Sequence, residues 1–198
     1  MIKAVIFDVG GVILAGRIED ISERTARKLG VDTTRFEQAR TKYHKAAQTG
    51  ELSTGQLLEN VSRDLGVGKG LLEKAWLEAY DEMPVDHKVL EIVDALNEKG
   101  CRVALITNTT GLSKTLHEKY RFHSRFNPLV ESYKVGFLKP DRGIYEKTLK
   151  DLGTSPSETI FIDDRAEHLV PAQEIGLKTI LFKDAEQLKQ KLSDLGAL

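Results

Sequence analysis

The sequence has a single cysteine, no long apolar run and almost no net charge. One cysteine, Cys101, cannot form an internal disulfide, so we expect a reducing compartment and predict a cytoplasmic protein. No apolar stretch approaches the roughly 18 residues that a membrane span requires, and the apolar start at 2–7 is too short for a signal peptide. The formal net charge of −1 provides no long-range attraction to nucleic acid or to an anionic membrane. We therefore predict neither a nucleic-acid partner nor a membrane partner.

Short apolar runs separated by helical patterns indicate the fold class. The runs lie at 4–7, 103–107, 159–162 and 179–182, with a further short strand predicted at 130–133. They are continuously apolar rather than alternating, which is typical of a parallel sheet covered on both faces. Helical periodicity predicts helices over 85–99, from Gly111 through Leu116 to Tyr120, over 141–152 and over 167–175. This alternation predicts an α/β fold with a Rossmann-like, doubly wound parallel sheet.

Residues 16–83 do not follow that alternation. They contain no convincing strand, and amphipathic helical segments are broken by glycines such as Gly30, Gly50 and Gly66. Helix-start signals recur at Asp32 and at Ser53. We predict a small all-helical cap of about four helices at 16–83, inserted after the first strand of a core formed by 1–15 and 84–198.

Polar residues stand directly after the predicted strands. Asp8 follows the first strand, Thr107 and Asn108 the second, and Asp163 and Asp164 the third. Lys139 precedes a proline at the start of a predicted helix. In an open α/β sheet, ligands bind beyond the carboxyl ends of the strands, so we expect these side chains to share one crevice.

Three carboxylates in one crevice require a positive charge between them. A hard divalent cation with oxygen ligands supplies it, and Mg²⁺ suits such a set. Lys139 can neutralise both a carboxylate and a bound phosphate, Thr107 adds a hydroxyl donor, and Gly10 and Gly11 leave backbone N–H groups free to approach a phosphoryl oxygen. The set suits attack of a carboxylate on phosphorus, which forms an aspartyl-phosphate that water cleaves.

The chain resembles the haloacid dehalogenase-like hydrolase superfamily over essentially its whole length. Within the helical insert, which is similar to the C1-type cap of this superfamily, 49–53 resembles the Gly-Glu-Ile/Leu-Ser turn of a branch that includes sugar-phosphate phosphatases of the glucose-1-phosphate type. Four motifs carry the resemblance in the expected order, and they lie at 6–13, 105–108, 136–141 and 161–164.

The resemblance implies a role for each matched residue. Asp8 is the nucleophile and a metal ligand, and Lys139 bridges the phosphate and Asp8. Thr107 and Asn108 hold the phosphoryl oxygens. The implied magnesium ligands are Asp8, the carbonyl of Gly10 and Asp164, with Asp163 beside them or acting through water. The implied activity is magnesium-dependent hydrolysis of a small phosphorylated metabolite, with a sugar phosphate favoured, and the oligomeric state (monomer or homodimer) stays open.

One position departs from the pattern of the family's phosphatases. Most carry a second aspartate two positions after the nucleophile, which acts as general acid and base, and here that position is Gly10. General acid–base help is typically worth ~10²–10⁴ in rate. A sugar 1-phosphate, which has a better leaving group than an ordinary alcohol, would tolerate this loss.

Two alternatives to the phosphatase remain open. A 2-haloacid dehalogenase would use Asp8 on carbon and an early cap arginine, Arg17 or Arg35, although the family's dehalogenases have an aromatic residue at the position of Gly10. In the second alternative, the protein is a weakly active or non-catalytic binding module, because Gly10 replaces the usual general acid. The five histidines show no metal-ligand spacing, so we predict no zinc site.

Overall fold

The computed structural model describes residues 1–113 and 122–198, and these residues form a five-stranded, all-parallel sheet with helices on both faces. The strand order is β3-β2-β1-β4-β5, in which β1 lies centrally between β2 and β4. The strands are β1 Ala4–Phe7, β2 Arg102–Thr107, β3 Leu129–Glu131, β4 Thr159–Asp163 and β5 Lys178–Leu181. The predicted doubly wound α/β fold is confirmed.

Nine α-helices lie in the described part of the chain, and a short 3₁₀ helix, Phe122–Arg125, precedes β3. The helices are α1 Ile18–Leu29, α2 Thr33–Gln48, α3 Thr54–Leu65, α4 Lys69–Asp81, α5 His87–Glu98, α6 Ser132–Val135, α7 Arg142–Leu152, α8 Ala166–Glu174 and α9 Ala185–Asp194. The helix predicted to follow Gly111 falls largely on 114–121, outside the described residues.

The central strands β1, β2 and β4 are buried on both faces because they are apolar at nearly every position. One face, which includes Val5 and Phe7, packs with α5 and α9. The opposite face, which includes Ile6 and Phe161, packs with α7 and α8. Continuous apolar strands therefore reflect a sheet with helices on both sides, as predicted.

The prediction of a strand at 130–133 is wrong at the carboxyl end of that strand. The strand itself is Leu129–Glu131, and Ser132 begins the short helix α6. The Ser132 hydroxyl accepts a hydrogen bond from the backbone N–H of Thr109 (2.9 Å) and donates to the Thr109 carbonyl (3.0 Å). This tertiary contact joins the segment to the loop after β2, and a local apolar pattern does not contain that information.

Helices α1–α4, which we call the cap helices, have their own apolar cluster. Phe36 and Trp76 are almost completely buried in it, with ring centroids 5.6 Å apart in an edge-on arrangement. The Asp32 carboxylate caps α2 by accepting from Arg35 N–H (3.0 Å), and Ser53 caps α3. The predicted four helices are confirmed in number among the described residues.

The two connections between the cap helices and the sheet run side by side. Ala15 N–H donates to the Pro84 carbonyl (2.8 Å), and Asp86 N–H donates to the Ile13 carbonyl (2.8 Å). Adjacent entry and exit points are the geometry expected of an inserted unit. The domain boundaries at 15/16 and 83/84 stay a prediction.

Within 1–113 and 122–198, no helix is both long enough and apolar enough to cross a membrane.

Candidate active site

The polar residues predicted from the sequence gather at the carboxyl end of the sheet. Asp8 follows β1, Thr107 ends β2, and Asp163 ends β4. Phe7 is in register with Leu105 on one side and with Ile162 on the other, so Asp8 and Asp163 lie at the same level and Thr107 lies one residue further along. Neighbouring parallel strands thus deliver the three side chains to one place.

Three carboxylates form a compact cluster there. Asp8, Asp163 and Asp164 each offer an oxygen, and these oxygens lie within 4.8 Å of one another. Asp8 is 7% exposed and Asp163 is completely buried. Carboxylates this close repel one another strongly unless a cation lies among them, and a small divalent cation with oxygen ligands matches both the charge and the donor atoms.

Lys139 provides one positive charge inside the cluster. Its Nζ lies 2.6 Å from Asp8 Oδ1 and 2.7 Å from Asp163 Oδ2, and the residue is 3% exposed. Burial acts to lower the pKa of this ammonium, but the charges of Asp8 and Asp163 outweigh it and raise the pKa above its ordinary value. Lys139 therefore stays charged at neutral pH.

The two carboxylates that share Lys139 titrate differently. Burial raises the pKa of Asp8 to about 6, with Lys139 opposing the shift and the charge of Asp163 adding to it. Burial also acts to raise the pKa of Asp163, but Lys139 and a hydrogen bond from His168 reverse this, so its pKa is below the usual value. A proton taken up by this pair in mildly acidic solution therefore resides on Asp8, and Asp163 stays ionised.

The Asn108 side chain hydrogen-bonds to the backbone of Lys139 and so positions the lysine. Its Nδ2 donates to the Lys139 carbonyl and its Oδ1 accepts from the Lys139 N–H, both at 2.8 Å. The predicted role of Asn108, to hold a phosphoryl oxygen, stays a prediction, and its side chain is already bonded to the Lys139 backbone. A contact with phosphate would fall to the Asn108 backbone N–H.

Gly11 also differs from its predicted role. Its N–H donates to the carbonyls of Leu14 (2.8 Å) and Gly16 (2.9 Å), so it is not free for a phosphoryl oxygen. The residue has a φ of 77°, and a Cβ there would lie 2.4 Å from Asp164 Oδ2. Glycine is required at this position because the Asp164 carboxylate occupies the space of a side chain. Gly10 has no such restriction, since a Cβ there would meet only the Gly16 carbonyl at 3.7 Å.

His168 belongs to the site, and the sequence analysis missed it. Its Nδ1 lies 3.0 Å from both oxygens of Asp163, and Asp163 Oδ1 also accepts from the Arg165 N–H (2.9 Å). Lys139, His168 and Arg165 thus hold the Asp163 carboxylate in one orientation. The available signal was position, since His168 lies in the first turn of α8, just beyond the strand that ends at Asp163.

A cavity of about 280 Å³ opens over Asp8 between the sheet and the cap helices. The core contributes Asp8, Thr107 and Lys139 to its wall, and the cap helices contribute residues that the sequence analysis did not assign. The polar residues among these are Arg40, His44 and Gln48 of α2 and Tyr80 of α4. Asp8, Thr107 and Lys139 are therefore enclosed by side chains that come both from the sheet and from the cap helices.

Two ion pairs connect the first cap helix to the loop after β4. Arg17 Nε lies 2.6 Å from Asp164 Oδ2, and Arg165 Nη2 lies 3.1 Å from Glu19 Oε1. Arg35, the other arginine considered for gripping a haloacid, donates through Nη2 to the Leu65 carbonyl (3.0 Å) within the cap helices. Both arginines of the dehalogenase alternative thus have partners in the protein.

The family is settled by a match that covers most of the chain. A family model described as haloacid dehalogenase-like hydrolase matches residues 2–176. The chain belongs to the haloacid dehalogenase-like hydrolase family. This membership makes it a hydrolase, in agreement with the predicted enzyme class.

Individual relatives resemble this hydrolase to different extents. D-ribitol-5-phosphate phosphatase from Bacteroides thetaiotaomicron is 30% identical over 209 residues, which cover 98% of each chain. Bifunctional epoxide hydrolase 2 from Sus scrofa is 26% identical over 96% of this chain, which spans only 38% of that protein.

A solved structure supports the fold of this hydrolase. A HAD family enzyme from Bacteroides thetaiotaomicron, in complex with magnesium and inorganic phosphate, has a TM-score of 0.76 at 24% identity. The match covers 92% of this chain and 95% of that one. At this identity the likeness concerns the fold, and the active-site roles in the present chain rest on its own residues.

We predict that replacing His168 by leucine lowers the free energy of unfolding by about 1–3 kcal/mol, because the buried Asp163 carboxylate loses a hydrogen-bond donor. Urea denaturation at neutral pH measures the change. His168→Asn is the matched control, since its amide nitrogen takes approximately the place of Nδ1, and it should retain most of the stability. Equal losses in the two variants would contradict the assignment of this hydrogen bond as the stabilising contact.

Proposed function

We propose that this hydrolase is a magnesium-dependent phosphatase of small phosphate monoesters that works through an aspartyl-phosphate on Asp8. The observation that carries the proposal is the arrangement of Asp8 and Lys139 at the floor of an enclosed cavity, with Asp163 and Asp164 beside them. The relative with D-ribitol-5-phosphate phosphatase activity in its name covers the full chain and supports the same chemistry.

The carboxylate cluster fits a bound Mg²⁺. Asp8, Asp164 and the carbonyl of Gly10 are the proposed ligands, and Asp163 would act through water because its oxygens already serve Lys139 and His168. The solved relative that contains magnesium and inorganic phosphate supports this choice of metal. When bound, the metal neutralises charge on the transferring phosphoryl group and helps to orient it.

The residues of the chain supply the other requirements of phosphoryl transfer. One oxygen of Asp8 attacks phosphorus, so that an O–P bond to Asp8 forms while the P–O bond to the substrate oxygen breaks, and the released alkoxide takes its proton from solvent water. Lys139 stabilises the negative charge of the phosphoryl oxygens, and the Thr107 hydroxyl and backbone N–H groups of Gly10 and Asn108 donate to them. Water then attacks the phosphorus of the aspartyl-phosphate, which releases phosphate and restores Asp8.

Asp8 must be ionised to attack and to bind metal. Its pKa of about 6 in the absence of metal means that protons compete with both functions in mildly acidic solution. A bound divalent cation favours the ionised carboxylate and lowers that pKa, so the enzyme is expected to work at neutral pH.

The proposed substrate is a sugar phosphate or a related phosphorylated metabolite. The cavity, at about 280 Å³, suits a small leaving group, and a leaving group of low basicity would compensate for the absent acid at Gly10. The epoxide hydrolase relative is much longer than this chain, so its name contributes nothing to the choice of substrate. A cytoplasmic location remains part of the proposal.

We expect Asp8→Asn to abolish phosphate release from a panel of sugar phosphates and p-nitrophenyl phosphate, because the amide is a poor nucleophile and metal ligand. The wild type should release phosphate with Mg²⁺ and lose this activity with EDTA. Asp151→Asn, an exposed change in α7, is the matched control and should retain activity. Halide release from a 2-haloacid without phosphatase activity would overturn the proposal in favour of the dehalogenase, and absence of both activities would favour the binding module.

Gly10→Asp should accelerate hydrolysis of alkyl phosphates, because it introduces the acid that this position lacks and a Cβ there has ordinary contacts. We expect a gain in kcat of about 10², and a smaller gain on p-nitrophenyl phosphate, whose leaving group does not need a proton. Gly10→Asn, which has the same shape and no acidic proton, is the control. Equal rates for the two variants would show that the missing acid does not limit turnover.

A further inference from the structure

The cap side of the cavity contains a group of polar side chains that phosphoryl transfer does not use. Arg40 and His44 lie one turn apart on α2, and Tyr80 lies on α4, and all three line the cavity that opens over Asp8. The charge of Arg40 acts on the pKa of both His44 and Tyr80, so the three form one cluster. We call Arg40, His44 and Tyr80 the cap subsite.

His44 is neutral and incompletely hydrogen-bonded. It is 7% exposed, and its ring stacks on Trp76 at 6.1 Å between centroids and 20° between planes. Burial, together with the charge of Arg40, lowers its pKa to about 3. Within the described part of the chain, no group hydrogen-bonds to its Nδ1. A neutral imidazole can donate through one nitrogen and accept through the other, so this ring has polar capacity that the folded protein does not satisfy.

Tyr80 has similar chemistry. Burial raises its pKa to about 12, so the phenol keeps its proton at neutral pH. A phenolic hydroxyl donates one hydrogen bond and accepts others. The neighbouring imidazole and phenol are therefore both neutral groups of mixed donor and acceptor character.

The charges around the cavity argue against a second anionic group on the substrate. Each lysine or arginine that lines the cavity already has a carboxylate partner, and the pairs are Lys139 with Asp8 and Asp163, Arg17 with Asp164, Arg40 with Glu37, and Arg165 with Glu19. Arg40 reaches Glu37 Oε2 through Nη2 (2.5 Å) and Nε (3.1 Å). A second phosphate or carboxylate at the cap subsite would have to compete with Glu37 for this guanidinium.

The cap subsite is held in a defined position relative to the nucleophile. The Gln48 side chain, one turn beyond His44 on α2, donates through Nε2 to the Asn108 carbonyl (3.2 Å). The Asn108 side chain in turn hydrogen-bonds to both the N–H and the carbonyl of Lys139, whose ammonium contacts Asp8. One continuous set of contacts therefore connects α2 to the reacting carboxylate, which favours recognition of a leaving group of fixed length.

We propose that the cap subsite binds the hydroxyl groups of a polyol or sugar leaving group. Hydroxyls both donate and accept, so they complement His44 and Tyr80, whereas an alkyl chain would bury these groups without partners. Sites that hydrogen-bond a substrate hydroxyl discriminate strongly against the analogue that lacks it. The inference rests on the proposed phosphatase function and names the residues that select its substrate class.

The test compares two substrates with the same five-carbon chain, D-ribitol 5-phosphate and n-pentyl phosphate, and uses p-nitrophenyl phosphate to report phosphatase chemistry. The wild type should prefer ribitol 5-phosphate by about 100-fold or more in kcat/KM. Tyr80→Phe removes only the hydroxyl, and His44→Phe keeps a ring against Trp76. Each should reduce the ribitol-to-pentyl preference by about three- to tenfold, the effect of one neutral hydrogen bond.

Tyr43→Phe is the matched control, because the Tyr43 hydroxyl bonds to Asp64 (3.2 Å) and Tyr43 does not line the cavity. It should keep the wild-type preference. The cap subsite would be overturned if the wild type did not prefer ribitol 5-phosphate, or if Tyr80→Phe and His44→Phe kept the wild-type preference. In either case, turnover of p-nitrophenyl phosphate would still support the phosphatase function. Absence of magnesium-dependent turnover on every substrate would overturn both.

Discussion

The ammonium of Lys139 lies between two buried carboxylates, and the arrangement of the site follows from this contact. Burying Asp8 and Asp163 together without a cation would cost several kcal/mol. Lys139 offsets that cost because its Nζ contacts both carboxylates within 2.7 Å. Asn108 holds the lysine backbone and His168 holds Asp163, so the surrounding residues support one geometry. The outcome is an ionisable Asp8 that faces a cavity beside a fixed positive charge.

The sheet topology explains why such distant residues meet. β1 lies between β2 and β4, and the carboxyl ends of these three strands carry Asp8, Thr107 and Asp163. The cap helices return to the sheet beside their point of departure, which leaves α2 and α4 over the same end. In our proposal, residues at the ends of the strands carry out phosphoryl transfer, and residues of the cap helices select the substrate.

Much of this arrangement could be predicted from local patterns. The continuous apolar runs located four of the five strands to within one residue at either end. Three of these strands, β1, β2 and β4, are buried on both faces and so lack polar alternation. The position of Asp8, Lys139 and Asp163 at the ends of elements predicted their proximity. The last helix, Ala185–Asp194, was not predicted although Leu188 and Leu192 are one turn apart and Asp184 caps it, so the signal was present in the sequence.

Other features depend on contacts that no local pattern contains. The roles of Asn108 and Gly11 follow from tertiary hydrogen bonds and from the space taken by Asp164. His44 and Tyr80 are polar members of apolar helix faces, and only the packing of α2 against α4 brings both to the cavity wall. The helix that contains His168 was predicted at 167–175, but the bond from His168 to the Asp163 carboxylate is a tertiary contact.

The most direct test of the central claim is peptide mass spectrometry of enzyme that has been acid-quenched during turnover of a phosphate monoester with Mg²⁺. The account predicts that the peptide containing Asp8 gains the mass of one phosphoryl group, and that this adduct is absent when Mg²⁺ is chelated. Two results would contradict the assignment of Asp8 as the nucleophile. The first is magnesium-dependent turnover with the phosphoryl group on another residue, and the second is product formation at saturating substrate with Asp8 unmodified.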